Sequence, residues 1–470
     1  MRLIISLAVM TILIPGCATL PAPPAGSATP DLPQAWSTAS SAVSEPVMPG
    51  WLDDFHAPGL DVLVDEALRT NPDLKIMVAR VTAAQARAQA AGATRRPNVS
   101  LEFTARRGKR APSGLAASSA NLISTFGLDA NIAWEVDLWN RLGDEAKASV
   151  ADVYAVEADY AAARLILAAN VARTWSSATE ASAQVRLSER TVASFRQVRT
   201  VIEERYRAGL TTALDVRFAR ENVATAESFL AQRRREADAL SRALEILLGR
   251  YPAAVLTMDI SLPRVRKAVP AGLPAEILAR RPDLRAGEMR LEAAGSRLSA
   301  ARKNRLPGIR LTGSTGTASA ELSNLLNWDQ LVWSLLAGIT QPIFSGGRLS
   351  AEQTLAEAGH QEAWAAYAQM VLTAFREVET TLSAESFYNI QETALGVASE
   401  EAQAAAVLAF EHYGQGLIDI VTLLDAQRRA FTAESDRLRT IRQRLNNRVD
   451  LYLALGGDFN SDENNEKVAP

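Results

Sequence analysis

The chain has 470 residues, 50 basic against 53 acidic, a formal net charge of -3 and a single cysteine. That balance excludes capture of nucleic acid by overall charge, and one cysteine excludes an intramolecular disulfide or a thiolate zinc site. Aromatics make up only 6% of a chain rich in Ala, Leu, Arg, Glu and Gln, which favours helix.

The sequence opens on Met1-Arg2 and an apolar run over residues 3–14, followed by Ile14-Pro15-Gly16-Cys17. A bilayer needs ~20 apolar residues, so this shorter run reads as a signal-peptide core covering residues 1–16. A small residue followed by the only cysteine resembles a bacterial lipoprotein processing site, with Pro15 and Ile14 departing from its usual residues. Cys17 is then the expected lipidation site, carrying diacylglycerol and an N-acyl chain of the palmitate type. An ordinary secretory signal with an incidental cysteine is the alternative. By the same resemblance, Ala18 after the cysteine favours the outer membrane. Residues 17–57 start rich in Pro, Ala and Ser and read as a tether without a core of its own.

From residue 58 the sequence is written twice. Asn71-Pro72-Asp73-Leu74 returns as Arg281-Pro282-Asp283-Leu284, and Tyr206-Arg207-Ala208-Gly209-Leu210 returns as Tyr413-Gly414-Gln415-Gly416-Leu417. A period of about two hundred residues exceeds the ~20–50 of solenoid repeats, so the unit is the size of a domain. The expected repeats are 58–249 and 273–456, with 250–272 as a linker and 457–470 as a polar tail.

Each repeat predicts the same elements in the same order. A short helix (about 59–70, and 273–280) is closed by Asn71-Pro72 or Arg281-Pro282, and proline opens the next helix, which ends before Pro97 or Pro307. The pattern then alternates. Over 126–138 Phe126, Leu128, Ala130, Ile132, Trp134, Val136 and Leu138 share one face, against Asp129, Asn131, Glu135 and Asp137 on the other, which predicts a strand with one apolar face. With 99–105 it makes a hairpin over about 99–138, and a second hairpin is expected over about 309–344. Long helices follow over 142–206 and 349–413. Tyr154, Ala158, Ala161, Leu165, Ala168, Ala172 and Trp175 step by fours and threes, a coiled-coil seam. Gly209 in one repeat, and Gly414 with Gly416 in the other, break these helices before returns over 213–248 and 419–455.

Four strands with an apolar face and no covering layer point to lipid, where strand edges must close. Single-chain bacterial barrels need at least ~8 strands, so the barrel must be shared between chains. In the order and character of these segments, with Trp134-Glu135-Val136-Asp137-Leu138-Trp139, Gln341-Pro342-Ile343-Phe344 and Leu423-Leu424-Asp425-Ala426-Gln427-Arg428, the chain resembles the TolC-like outer-membrane factors of tripartite efflux pumps. It looks closest to their NodT-type lipoprotein branch, which works with resistance-nodulation-division (RND) pumps. The resemblance implies a mainly helical fold with membrane β. It implies a homotrimer whose twelve-stranded outer-membrane β-barrel is continuous with a twelve-helix periplasmic α-barrel. It further implies a periplasmic adaptor, an inner-membrane RND transporter, outer-membrane lipid as surroundings, and no cofactor beyond the lipid on Cys17. Asn140 stands where the family has Gly at the strand-to-helix turn, and Asn tolerates the same left-handed backbone.

The resemblance assigns a periplasmic gate to Val421, Asp425 and Arg428, with Thr422 where some relatives carry a second acid. From the residues alone Asp425 and Arg428 are also an ordinary i,i+3 helix pair. The hairpin tips, Arg207, Gly209 and Leu210 with Gly414, Gly416 and Leu417, are the expected adaptor contacts. Read as plain helix ends, they need glycine only as a cap. No nucleophile–base set, phosphate loop or histidine pair with metal-ligand spacing is present, so an enzyme is not expected. The expected function is passive conduction of drugs, toxic small molecules or metal ions. A channel for polypeptide secretion and a pore-free lipid-anchored scaffold are the alternatives.

Overall fold

The computed structural model describes residues 36–37, 51–110, 121–256, 261–265 and 274–457. Cys17, the signal segment, most of the tether, much of the linker and the tail beyond 457 lie outside the described residues. The described elements are α1 (Pro58–Thr70), α2 (Pro72–Ala93), β1 (Asn98–Arg110), β2 (Asn121–Val136), α3 (Arg141–Arg207) and α4 (Ala213–Leu247). The second half repeats them as α5 (Glu276–Arg280), α6 (Pro282–Lys303), β3 (Gly308–Ser319), β4 (Leu331–Thr340), α7 (Arg348–Gln415) and α8 (Ile420–Ala454). The chain divides into two compact units.

Unit one holds the strands, within 87–151 and 290–365. They form one antiparallel sheet in the order β1-β2-β3-β4, so β2 and β3 join the hairpins of the two repeats. The register keeps the faces in phase throughout. Val99, Ile132, Gly313 and Leu335 stand side by side, as do Leu101, Ala130, Thr315 and Trp333. The neighbouring row is Ser100, Asn131, Ser314 and Ser334 on the opposite face. Much of the apolar face is bare: Leu101, Trp333 and Leu335 are 73%, 73% and 74% exposed. On β4, Leu336 and Val332 interrupt the polar face.

β1 and β2 reach further than the 99–105 and 126–138 expected at their loop ends, and β2 stops earlier at its other end. Asp137 is not a strand residue. Its carboxylate accepts from the Leu142 and Gly143 amides at 3.1 and 2.7 Å, satisfying the free amides at the start of α3. Asn140 makes the turn between them at φ 59, the left-handed conformation anticipated for it. Ile343 likewise lies past the end of β4. The helix ends in this unit meet through small side chains, with Ala148, Ala151 and Ala293 buried together, and through the pair Lys303 Nζ to Asp144 Oδ2 at 2.6 Å.

Unit two holds the described residues of 152–289 and 366–457 with the N-terminal helices up to residue 86. Its core has two apolar clusters. One gathers Trp51, Leu60, Val64, Leu165, Ala168, Ala172, Leu284, Leu445 and Leu451. The other gathers Phe195, Ile202, Val216, Ala219, Ile420, Leu423 and Leu424. Between them in sequence α3 and α8 exchange polar contacts, with Gln184 donating to Ser435 O and accepting from Ser435 Oγ, both at 3.0 Å. Burial of an amide is tolerated there because both its ends are satisfied. The coiled-coil seam is buried from Leu165 onward, while Tyr154 and Ala161 stay exposed.

The repeated Pro-Asp-Leu motif has a common structural task. Asn71 Nδ2 donates to Leu247 O at 2.9 Å, and its counterpart Arg281 donates to Ala454 O at 3.1 Å, so each closes the last turn of the returning helix. α4 and α8 end in the same way, on Gly249 and Gly456 at φ 68 and 67. A Cβ at Gly456 would come within 3.0 Å of the Arg281 amide, and one at Gly249 within 3.0 Å of Thr70 O. Beyond Gly249, buried Glu245 accepts from Ala254 and Val255 amides at 2.7 and 2.8 Å. This holds Ala254 at a left-handed φ of 57 that alanine disfavours.

Candidate periplasmic gate and helix tips

α3 and α7 end in the same hydrogen-bonded turn. Gly209 N donates to Tyr206 O and Leu210 N to Arg205 O, and Gly416 N donates to Tyr413 O and Leu417 N to His412 O. These paired bonds need a residue with positive φ, supplied by Gly209 at 74 and Gly416 at 77. Gly414 does not take part in the break. α7 continues through Gln415, because only the penultimate position of the motif needs the left-handed conformation.

The return helices start differently. Thr212 caps α4, accepting from the Asp215 amide while Asp215 accepts from the Thr212 amide at 3.0 Å. Asp419 caps α8, accepting from the Thr422 amide at 2.8 Å. At equivalent positions the repeats have exchanged Thr and Asp, so each tip keeps one acid against the positive end of its helix. Burial works to raise the Asp215 carboxyl, but hydrogen bonds from the Thr211 hydroxyl and from Thr212 outweigh it and hold it below the ordinary carboxylate range. The Thr422 amide does the same for Asp419, against the charge of Asp215. A depressed carboxylate stabilises the fold in full above its unfolded value near ~3.9 and loses that effect as pH falls through its folded value. The difference in urea midpoint between the wild type and Asp215→Ala should therefore be constant above about pH 5 and shrink below about pH 4.

All six expected tip residues, Arg207, Gly209, Leu210, Gly414, Gly416 and Leu417, are exposed. With them Leu214 and Val421 expose apolar side chains, while Tyr413 is buried. Arg205 joins the two tips: its Nη1 donates to Tyr413 O and Gly414 O at 3.3 and 3.1 Å, and its guanidinium lies 5.2 Å from the centre of the Tyr413 ring. No local sequence signal marks Arg205, because its partners are about two hundred residues away.

The expected gate residues lie on the first turns of α8. Asp425 meets Arg428 at only 3.5 Å, whereas Arg429 Nε donates to its other oxygen at 2.7 Å. Arg429 is absent from the sequence assignment, although acid-then-base at i,i+4 is the favoured helical spacing. The Asp425, Arg428 and Arg429 side chains are 41%, 60% and 77% exposed. Val421, one turn earlier, is exposed. Arg428 also borders a cavity of about 180 Å³ lined by Phe195, Phe229 and Phe431. The first-repeat counterpart of Asp425 is Phe218, so this charge has no equivalent in α4.

No helix among the described residues is long and apolar enough to cross a membrane. The family model for outer membrane efflux proteins matches residues 63–250 and again 273–457. The chain is 34% identical over 415 residues to the solvent efflux pump outer membrane protein SrpC of Pseudomonas putida, 87% of each chain. It is 35% identical over 402 residues to the outer membrane protein OprJ of Pseudomonas aeruginosa, 84% of each. The solved structure of the outer-membrane channel OprN superposes with a TM-score of 0.84 at 29% identity, covering 92% of this chain and 98% of that one. The chain belongs to the outer membrane efflux protein family.

Proposed function

We propose that three copies of this chain form one channel, each contributing four strands to a twelve-stranded barrel and four long helices to a periplasmic tube. The observation that carries this reading is the sheet. Its two edges, β1 and β4, have no partner strand among the described residues, and its apolar face is most exposed on those same two strands, at Val99, Leu101 and Phe103 and at Trp333, Leu335 and Ile339. An open four-stranded sheet in lipid leaves unpaired amides at several kcal/mol each, a cost that pairing of β1 with the next copy's β4 removes. The strands, at 13, 16, 12 and 10 residues, meet the ~9–11 needed to cross a bilayer at a tilt.

The channel serves as the exit duct of a tripartite pump for drugs, toxic small molecules or metal ions. A periplasmic adaptor engages the exposed tips, an inner-membrane RND transporter supplies the energy, and lipid on Cys17 tethers the N-terminus. Asp425, Arg428 and Arg429 from three copies ring the mouth as the gate, with Val421 beside them. Purified protein added to planar bilayers should give discrete single-channel steps, and a trimer should persist on sizing in detergent. A monomer that inserts without conductance would sink the reading.

A further inference from the structure

The first strand hairpin carries charge that an exit duct does not require. β2 pairs with β3 only as far as Phe126 with Ser319, but β1 and β2 continue together from Ala105 with Phe126 to Arg110 with Asn121. This overhang is the end of the hairpin away from α2 and α3, which join β1 and β2 at their other ends. On it Arg106, Arg107 and Lys109 are exposed, and the sequence has no acid between Glu102 and Asp129. The second hairpin is the reverse, with Glu321 and Asp329 and no Lys or Arg between Arg310 and Arg348.

The pleat sorts these cations by face. Arg107 and Lys109 continue the apolar row of Val99, Leu101 and Phe103, whereas Arg106 continues the polar row of Glu102 and Thr104. Across the ladder Arg107 meets Ser124 and Lys109 meets exposed Leu122, so neither faces an acid there. Long cationic side chains just beyond an apolar band lay their stems on the apolar surface and place their charge at headgroup level. A guanidinium fork there matches phosphate oxygens.

We propose that Arg107 and Lys109 bind the phosphate groups of a phosphorylated lipid in the outer leaflet. The site rests on the reading of the sheet as part of an outer-membrane barrel with its apolar face in lipid and its helices on the periplasmic side. Arg106, on the opposite face, takes no part. Two surface cations are worth about 30-fold in binding to an anionic headgroup.

The full-length protein is reconstituted in phosphatidylcholine vesicles containing trace-labelled lipid A, or lipid A stripped of its phosphates, and the label retained on purification is measured. The wild type should prefer the phosphorylated lipid about 30-fold. Arg107→Ser with Lys109→Ser should lose that preference, and Arg106→Ser should keep it. Equal retention of both lipids by the wild type, or an equal loss in Arg106→Ser, overturns the proposal. Single-channel conductance is recorded on the same samples: a conducting wild type without lipid preference defeats the lipid site alone, and a non-conducting one defeats the barrel reading beneath it.

Discussion

Replacing Arg281 with alanine is expected to lower the stability of the folded chain by about 3 kcal/mol. Arg281 is 8% exposed. Its guanidinium donates to Asp283 and Glu377, each at 2.8 Å, and to Ala454 O at 3.1 Å. The substitution leaves two carboxylates without their shared cation, and a helix-end carbonyl without its donor. Both carboxylates are partly exposed, at 45% and 41%, so water recovers part of the loss and the estimate sits at the low end for a broken buried pair. The counterpart Asn71→Ala removes neutral hydrogen bonds only and should cost about 1–2 kcal/mol. Urea unfolding of the two variants checks the ranking. Equal losses would mean that the ion pairs add nothing to the capping role the two residues share.

The second large effect is on conductance. Alanine at Asp425, Arg428 and Arg429 together should raise single-channel conductance several-fold while hardly changing the urea midpoint. Both ion pairs lie within one exposed helical surface, where such pairs are worth ~0.3–0.5 kcal/mol. A change in current far out of proportion to that small stability would place the charges across the pore axis rather than only along α8. Arg429→Ala alone should exceed Arg428→Ala, since Arg429 makes the shorter contact with Asp425. Unchanged conductance in the triple variant would return these residues to the status of a solvated helix pair.

Much of this architecture is legible in the residues. The alternation in 126–138 identifies a strand and assigns its faces, because each strand side chain points opposite to its neighbours. Gly209 and Gly416 mark the ends of α3 and α7 because few other residues accept the left-handed turn. Asn140 is legible for the same reason. Asp137 is not, because continued alternation and a helix cap look alike until the strand's end is known. Arg429 is legible too, since its i,i+4 spacing from Asp425 is the better of the two.

What the sequence determined by itself is local and periodic. The duplication shows as motifs that return after about two hundred residues, and the order of elements, the apolar faces and the turn residues follow from spacings of two to seven residues, where side chains meet because the backbone geometry requires it. Only the tertiary structure decided which distant groups meet: β2 with β3, Asn71 with Leu247 O, Arg281 with Glu377, Arg205 with Tyr413. Those pairings depend on where the chain returns after about a hundred residues or more, and no local spacing encodes the return. The outer hairpin shows both halves together. Its basic residues are plain in the sequence, but the register assigned Arg107 and Lys109 to the apolar face and Arg106 to the other.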